Sequence, residues 1–110
     1  MAGSDVYTGT LDLLVLRALR WGRMHGYGIG GWIREASAEV LAVEEGALYP
    51  ALHRLERKGL IEAEWGQTEQ KRQAKFYRLT EAGRSRLRAE TARWRAHARA
   101  VEAILEAPRG

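Results

Sequence analysis

At 110 residues, 45% hydrophobic and 29% charged, the chain has room for one soluble globular domain and one appended element, and its composition is not that of a disordered protein. The longest apolar run, Leu13 to Leu16, excludes a membrane span, the N-terminus carries no secretory pattern, and the lack of cysteine excludes disulfides and thiolate metal sites; a cytoplasmic location is expected. Eighteen basic against fourteen acidic residues give a formal charge of +4, which mildly favours nucleic acid as partner, and fifteen of the eighteen are Arg, whose planar fork suits phosphates and base edges.

Thr8 to Trp21 is the first periodic segment. Leu11, Leu14, Val15, Ala18 and Leu19 follow the spacing of an amphipathic helix, with Thr8 or Thr10 as cap and Gly22 as terminator. His25 to Ser37 gathers Tyr27, Ile29, Trp32, Ile33 and Ala36 near one face of a second helix. Gly26, Gly28, Gly30 and Gly31 each cost it roughly 0.5–1 kcal/mol against Ala, so it depends on packing. A third helix is expected from Glu44 to Lys58, with Leu48, Leu52 and Leu55 inward, Pro50 early and Gly59 ending it.

The period then changes to two. Ile61, Ala63 and Trp65 alternate with Glu62 and Glu64, and Lys75, Tyr77 and Leu79 alternate with Phe76 and Arg78. These are the strands of a hairpin with a long, basic tip over 66–74, which cannot stand alone and must lean on the helices. Thr80 caps a last helix that runs to about Ala107, roughly 40 Å at 1.5 Å per residue. From Arg84 to Arg99 it holds six Arg and one acid, Glu90. Leu87, Thr91, Trp94, Ala98, Val101 and Leu105 recur at spacings of four and three, a seam that a second copy of the chain would cover.

The expected fold is therefore mainly α with a small β-hairpin: a winged helix-turn-helix over 1–80 and a long C-terminal dimerisation helix over 81–110. From Thr8 through Leu105 the chain also resembles the PadR family of transcriptional regulators. The stretches that carry the resemblance are GTLDLLVLRAL at 9–19, MHGYGI at 24–29, GALYPALHRLERKGLIEAEW at 46–65 and KFYRLTEAGR at 75–84. The resemblance implies homodimeric repressors of operator DNA, some of them released by small phenolic or planar aromatic ligands. Three departures stand out: the tip reads QTEQKRQAK with no glycine after Gly66, Ala47 replaces the family's small hydroxyl residue before LYP, and Gly28, Gly30 and Gly31 are unusual in the second helix.

A recognition helix presents to the major groove the side opposite its core stripe. On the third helix that side offers Tyr49, His53, Arg54 and Arg57, with Ala47 and Pro50 near its start. Tyr49 can donate to phosphate or pack on a thymine methyl, and Arg54 or Arg57 can take guanine bidentately, worth roughly 1–3 kcal/mol of discrimination. Glu44 and Glu45 stabilise the helix N-terminus and point away from the duplex. Lys71, Arg72 and Lys75 of the wing serve phosphate or the minor groove. Tyr27 packs and hydrogen-bonds locally, with phosphate contact as the alternative. Each of these groups is, in the plainer reading, a solvated surface.

In a dimer, two copies of Trp94 either fill the core or sandwich a flat aromatic effector by stacking, with Leu13, Val15 and Ala98 lining the same space. Catalysis finds no support: His25, His53 and His97 are scattered, no metal-ligand spacing occurs, and no glycine pattern cradles a phosphate, so no cofactor is expected. The rival function is a winged-helix module that binds a protein or a ligand alone. Arg54, Arg57, Lys71 and Arg72 argue for double-stranded DNA instead.

Overall fold

Val15, Leu16, Ala18 and Leu19 are buried on one side of α1 (Ser4–Ala18) and the 3-10 turn that follows it (Leu19–Trp21), with Leu11, Leu13 and Leu14 partly buried beside them. The computed structural model describes residues 4–109, so the start of the N-terminal stretch read for a leader, residues 1–3, and residue 110 lie outside the described residues. Helix α1 already includes Ser4, and Thr8 and Thr10 are therefore inside it rather than capping it. Gly22 closes the 3-10 turn at φ 143° and ψ −176°, a region of backbone open in practice to glycine alone.

β1 (Met24–His25) leads into α2 (Gly26–Ala36), which buries Ile29 and Ile33 and half-buries Trp32. Tyr27 and Ala36, expected on the same face, are exposed. His25 supplies the N-cap: its Nδ1 accepts from the Gly28 amide at 3.0 Å, the role a Ser or Asp usually fills. α3 (Glu45–Arg57) buries Leu48, Ala51, Leu52 and Leu55. Glu44 occupies its N-cap position without a side-chain cap bond, so Glu44 and Glu45 act on the helix dipole alone. At its end Leu60 N donates to Leu55 O at 3.0 Å and Gly59 N to Glu56 O at 2.9 Å, with Gly59 at φ 74°. That pair of bonds is the Schellman stop, and its apolar contact is Leu60 with Leu55 in the core.

The sheet is three-stranded and antiparallel, in the order β1-β3-β2, with β2 (Ile61–Gln67) and β3 (Gln73–Leu79) paired from Ile61↔Leu79 to Gln67↔Gln73. The hairpin expected from sequence thus gains a two-residue strand, β1, on its free side, paired Met24↔Tyr77 and His25↔Phe76. The core-facing residues Ile61, Tyr77 and Leu79 join Leu55 and Leu60 of the α3 end in one buried cluster. Each such side chain contributes about 1.5–3 kcal/mol on removal from water.

α4 (Glu81–Glu106) starts from Thr80, whose Oγ1 accepts from Gly83 N at 3.0 Å and donates to Gly59 O at 2.7 Å. Gly83 lies directly against the chain at Leu60, so close that a Cβ there would collide with the Leu60 carbonyl oxygen. Gly83 and Leu87 are the only buried residues of α4 among those described. Beyond Leu87 the helix leaves the core, and the molecule is 62 Å long against 28 and 25 Å across.

Candidate nucleic-acid interface

With Leu48, Ala51, Leu52 and Leu55 inward, a helical turn of 3.6 residues sends Pro50, His53 and Arg57 to the opposite side of α3, and all three are exposed. Ala47 is exposed one turn earlier. Tyr49 and Arg54 fall on the two flanks instead. Tyr49 turns toward α2, where its ring lies against Gly26, so close that a Cβ there would meet the hydroxyl at 2.8 Å and shift the ring. Arg54 turns the other way. Its Nη2 donates to Asp12 Oδ1 of α1 at 2.8 Å, with both side chains largely buried. The expectation that Arg54 shares the free face of His53 and Arg57 is corrected by this pair.

Between α3 and the wing runs a groove of about 680 Å³. His25, Gly26, Tyr27 and Tyr49 form one wall, and Thr68, Arg72, Gln73, Lys75 and Tyr77 the other; no carboxylate lines it. Tyr27 is 80% exposed, its ring stacked beside that of His25 with centroids 6.4 Å apart, so the packing role expected for it gives way to a solvent-facing one. Lys75 is partly committed: its Nζ lies 3.8 Å from Glu56 Oε1 and 5.9 Å from the Tyr77 ring centroid. Burial, then the neighbouring Glu56 carboxylate, then Tyr49, hold the Tyr77 phenol above its ordinary value of 10.0. It stays neutral at the groove wall.

The wing tip is shorter than the sequence suggests. Strand pairing continues through Gly66↔Ala74 and Gln67↔Gln73. Lys71 N donates to Thr68 O at 2.9 Å and Thr68 N to Arg72 O at 2.9 Å, closing a three-residue loop of Glu69, Gln70 and Lys71. Lys71 takes the left-handed position, φ 63°, that such a loop usually gives to glycine. Lys71 and Arg72 are exposed there, together with the acid Glu69. The outer face of the wing is neutralised by contrast: Arg78 Nη2 sits 2.7 Å from Glu62 and Arg23 Nη1 3.2 Å from Glu64, with the Arg23 guanidinium 4.4 Å from the Phe76 ring centroid. Arg57, Lys71 and Arg72, by comparison, make no ion pair among the described residues.

The residues expected to form an effector site do not meet within one protomer. Val15 is fully enclosed in the core and Leu87 is 7% exposed, so both belong to the chain's own interior and neither is available to line a space beside Trp94 or a dimer seam. Leu13 borders a small crevice with Lys58, Arg86 and Glu90 at the base of α4. Thr91 donates from Oγ1 to Leu87 O at 2.7 Å. Trp94, Val101 and Leu105 remain exposed along α4 with Ala98 half-buried between them, and Ile104, 75% exposed, extends the stripe. Ile104 was legible from its three-residue spacing after Val101. No helix among the described residues is long and apolar enough to cross a membrane.

Comparison with known proteins agrees with this geometry. The model of the transcriptional regulator PadR-like family matches residues 15–89. An uncharacterised protein of Lysinibacillus sphaericus is 32% identical over 94 residues, 86% of each chain. A transcriptional regulator from Clostridium thermocellum superposes with a TM-score of 0.84 at 30% identity, over 94% of this chain and 100% of that one. A PadR family transcriptional regulator from Eggerthella lenta gives a TM-score of 0.79 at 33% identity, over 94% of this chain and 88% of its own.

Proposed function

Since the chain belongs to the PadR-like family of transcriptional regulators, we propose that it acts as a homodimeric repressor reading a pseudo-palindromic operator with α3 and the wing. The observation that carries this is the acid-free groove of about 680 Å³ between Tyr49 and the wing, with Arg72 in its wall, together with exposed His53 and Arg57 on α3 and exposed Lys71 at the tip. Residues 1–80 form the DNA-reading part in this reading, and residues 81–110 the dimerisation arm. His53 and Arg57 reach base edges, whereas Tyr27, Tyr49, Lys71 and Arg72 hold phosphates and fix the register. Arg54 and Lys75 contribute less than their charge suggests, because each faces a carboxylate of its own chain.

The exposed stripe Trp94, Ala98, Val101, Ile104 and Leu105 supports dimerisation: two turns of α4 are anchored, and the rest offers apolar surface that a second copy covers. A two-fold dimer then sets two α3 helices about one turn of DNA apart, roughly 34 Å. A flat aromatic effector stacked between two Trp94 rings would shift that spacing and release the operator.

The test is fluorescence anisotropy of labelled duplex from upstream of the chain's own gene, titrated at several salt concentrations. Saturable binding beyond that of scrambled duplex, lost in His53→Ala/Arg57→Ala, supports the reading. Equal, salt-independent behaviour of both duplexes, with capture of a protein partner instead, sinks it.

A further inference from the structure

A second cationic groove, of about 670 Å³, lies between the end of α1 and the first half of α4. Arg17 and Arg20 stand on one wall and Arg84, Arg88 and Arg95 on the other, over a floor that includes Leu79 and Leu87. The spacing of 84, 88 and 95 places those three on one side of α4. No carboxylate lines the groove, and among the described residues none of these five arginines makes an ion pair. Five other arginines do face an acid: Arg23, Arg34, Arg54, Arg78 and Arg93.

Left alone, this cluster works against the fold. Like charges three and four residues apart on a helix repel, and Arg84 stands in the first turn of α4, where the helix dipole disfavours a cation. The Trp21 ring offsets a little of this, with the Arg17 and Arg20 guanidinium carbons 5.7 and 5.1 Å from its centroid. We propose that the groove binds a small polyanion carrying at least two phosphoryl groups. Guanidinium forks hold phosphate oxygens in bidentate pairs, five of them exceed what one phosphate needs, and the volume matches that of small-ligand sites. The groove shares no lining residue with the one beside the wing, so the assignment goes beyond the DNA-reading function and does not rest on it.

Calorimetric titration of the full chain with tripolyphosphate tests it. One saturable site per chain is expected, weakened at least about tenfold in Arg20→Gln/Arg88→Gln and unaltered in His53→Ala/Arg57→Ala. Orthophosphate and citrate bind at least about tenfold more weakly than tripolyphosphate. The glutamine variant, relieved of repulsion, melts no lower than the parent, which separates a lost site from a lost fold. Absence of saturable binding, equal weakening in both variants, or citrate binding as tightly as tripolyphosphate each overturns the proposal. So does a loss of duplex affinity in Arg20→Gln/Arg88→Gln matching that of His53→Ala/Arg57→Ala, which would make the groove a DNA contact.

Discussion

Arg54 on α3 donates to the Asp12 carboxylate on α1 across 2.8 Å, forty-two residues away in sequence. An arginine of α3 is thus spent on holding that helix against its neighbour. A largely buried, charge-assisted bond of this kind stabilises more than a surface pair, and removing one partner leaves the other uncompensated.

Arg54→Ala and Asp12→Ala are each expected to lower unfolding free energy by about 1–3 kcal/mol, with the double variant less destabilised than their sum. Urea denaturation measures both. Asp12→Ala should at the same time raise affinity for any duplex, since it removes an acid and frees a cation. An unchanged midpoint in both single variants would show the pair to be idle.

Gly83→Ala tests the close approach of α4 to the Leu60 carbonyl oxygen. The methyl has only backbone to displace, so a loss of about 1–3 kcal/mol or more is expected, read as a drop in melting temperature. Ala82→Ser, which adds one atom at an exposed position next door, should leave the melting temperature unchanged and serves as control.

Lys71→Gly should move two readouts in opposite directions. Relief of the left-handed backbone at φ 63° raises stability by about 1 kcal/mol. Loss of the cation weakens DNA binding on all sequences alike and lowers the salt slope by about one phosphate contact. Lys71→Ala should show the second effect without the first.

Tyr77 supplies a pH dependence. Its phenol titrates higher in the folded chain than in the unfolded one, because burial and Glu56 disfavour the phenolate. Its contribution is therefore complete below the unfolded value of 10.0 and is lost as pH rises through the folded value. Tyr77→Phe should flatten the fall in stability as pH rises above 10.0; an identical alkaline profile in both proteins would assign that fall to other groups.

Much of this was legible in the sequence because it rests on local periodicity. Leu48, Leu52 and Leu55 with Gly59 fix α3 by their spacing alone, and the switch to alternation at Ile61 fixes the wing. What escaped depends on contacts remote in the chain. The direction of Arg54 is set by Asp12, and the short strand Met24–His25 exists only because β3 offers it an edge. Val15 was legible in the stripe of α1 although it was also offered to the effector site, whereas the inward position of Leu87 follows from how α4 meets the core, which a stripe on one helix cannot report. The wing tip was overestimated because the polar run from Gly66 to Ala74 read as loop, although Gly66↔Ala74 and Gln67↔Gln73 still pair.

The anchoring of α4 at Gly83 and Leu87 makes the helix a lever with a short inner arm. From Leu87 to Glu106 the free arm is roughly 28 Å at 1.5 Å per residue, so a tilt of about 10° at the fulcrum carries its far end about 5 Å. With an inner arm of roughly 6 Å from Gly83 to Leu87, the same tilt moves Gly83 by only about 1 Å. The contact between Gly83 and the Leu60 carbonyl is the bearing of this lever. Its tightness decides whether motion at the far end is transmitted to the body of the domain or absorbed as slack.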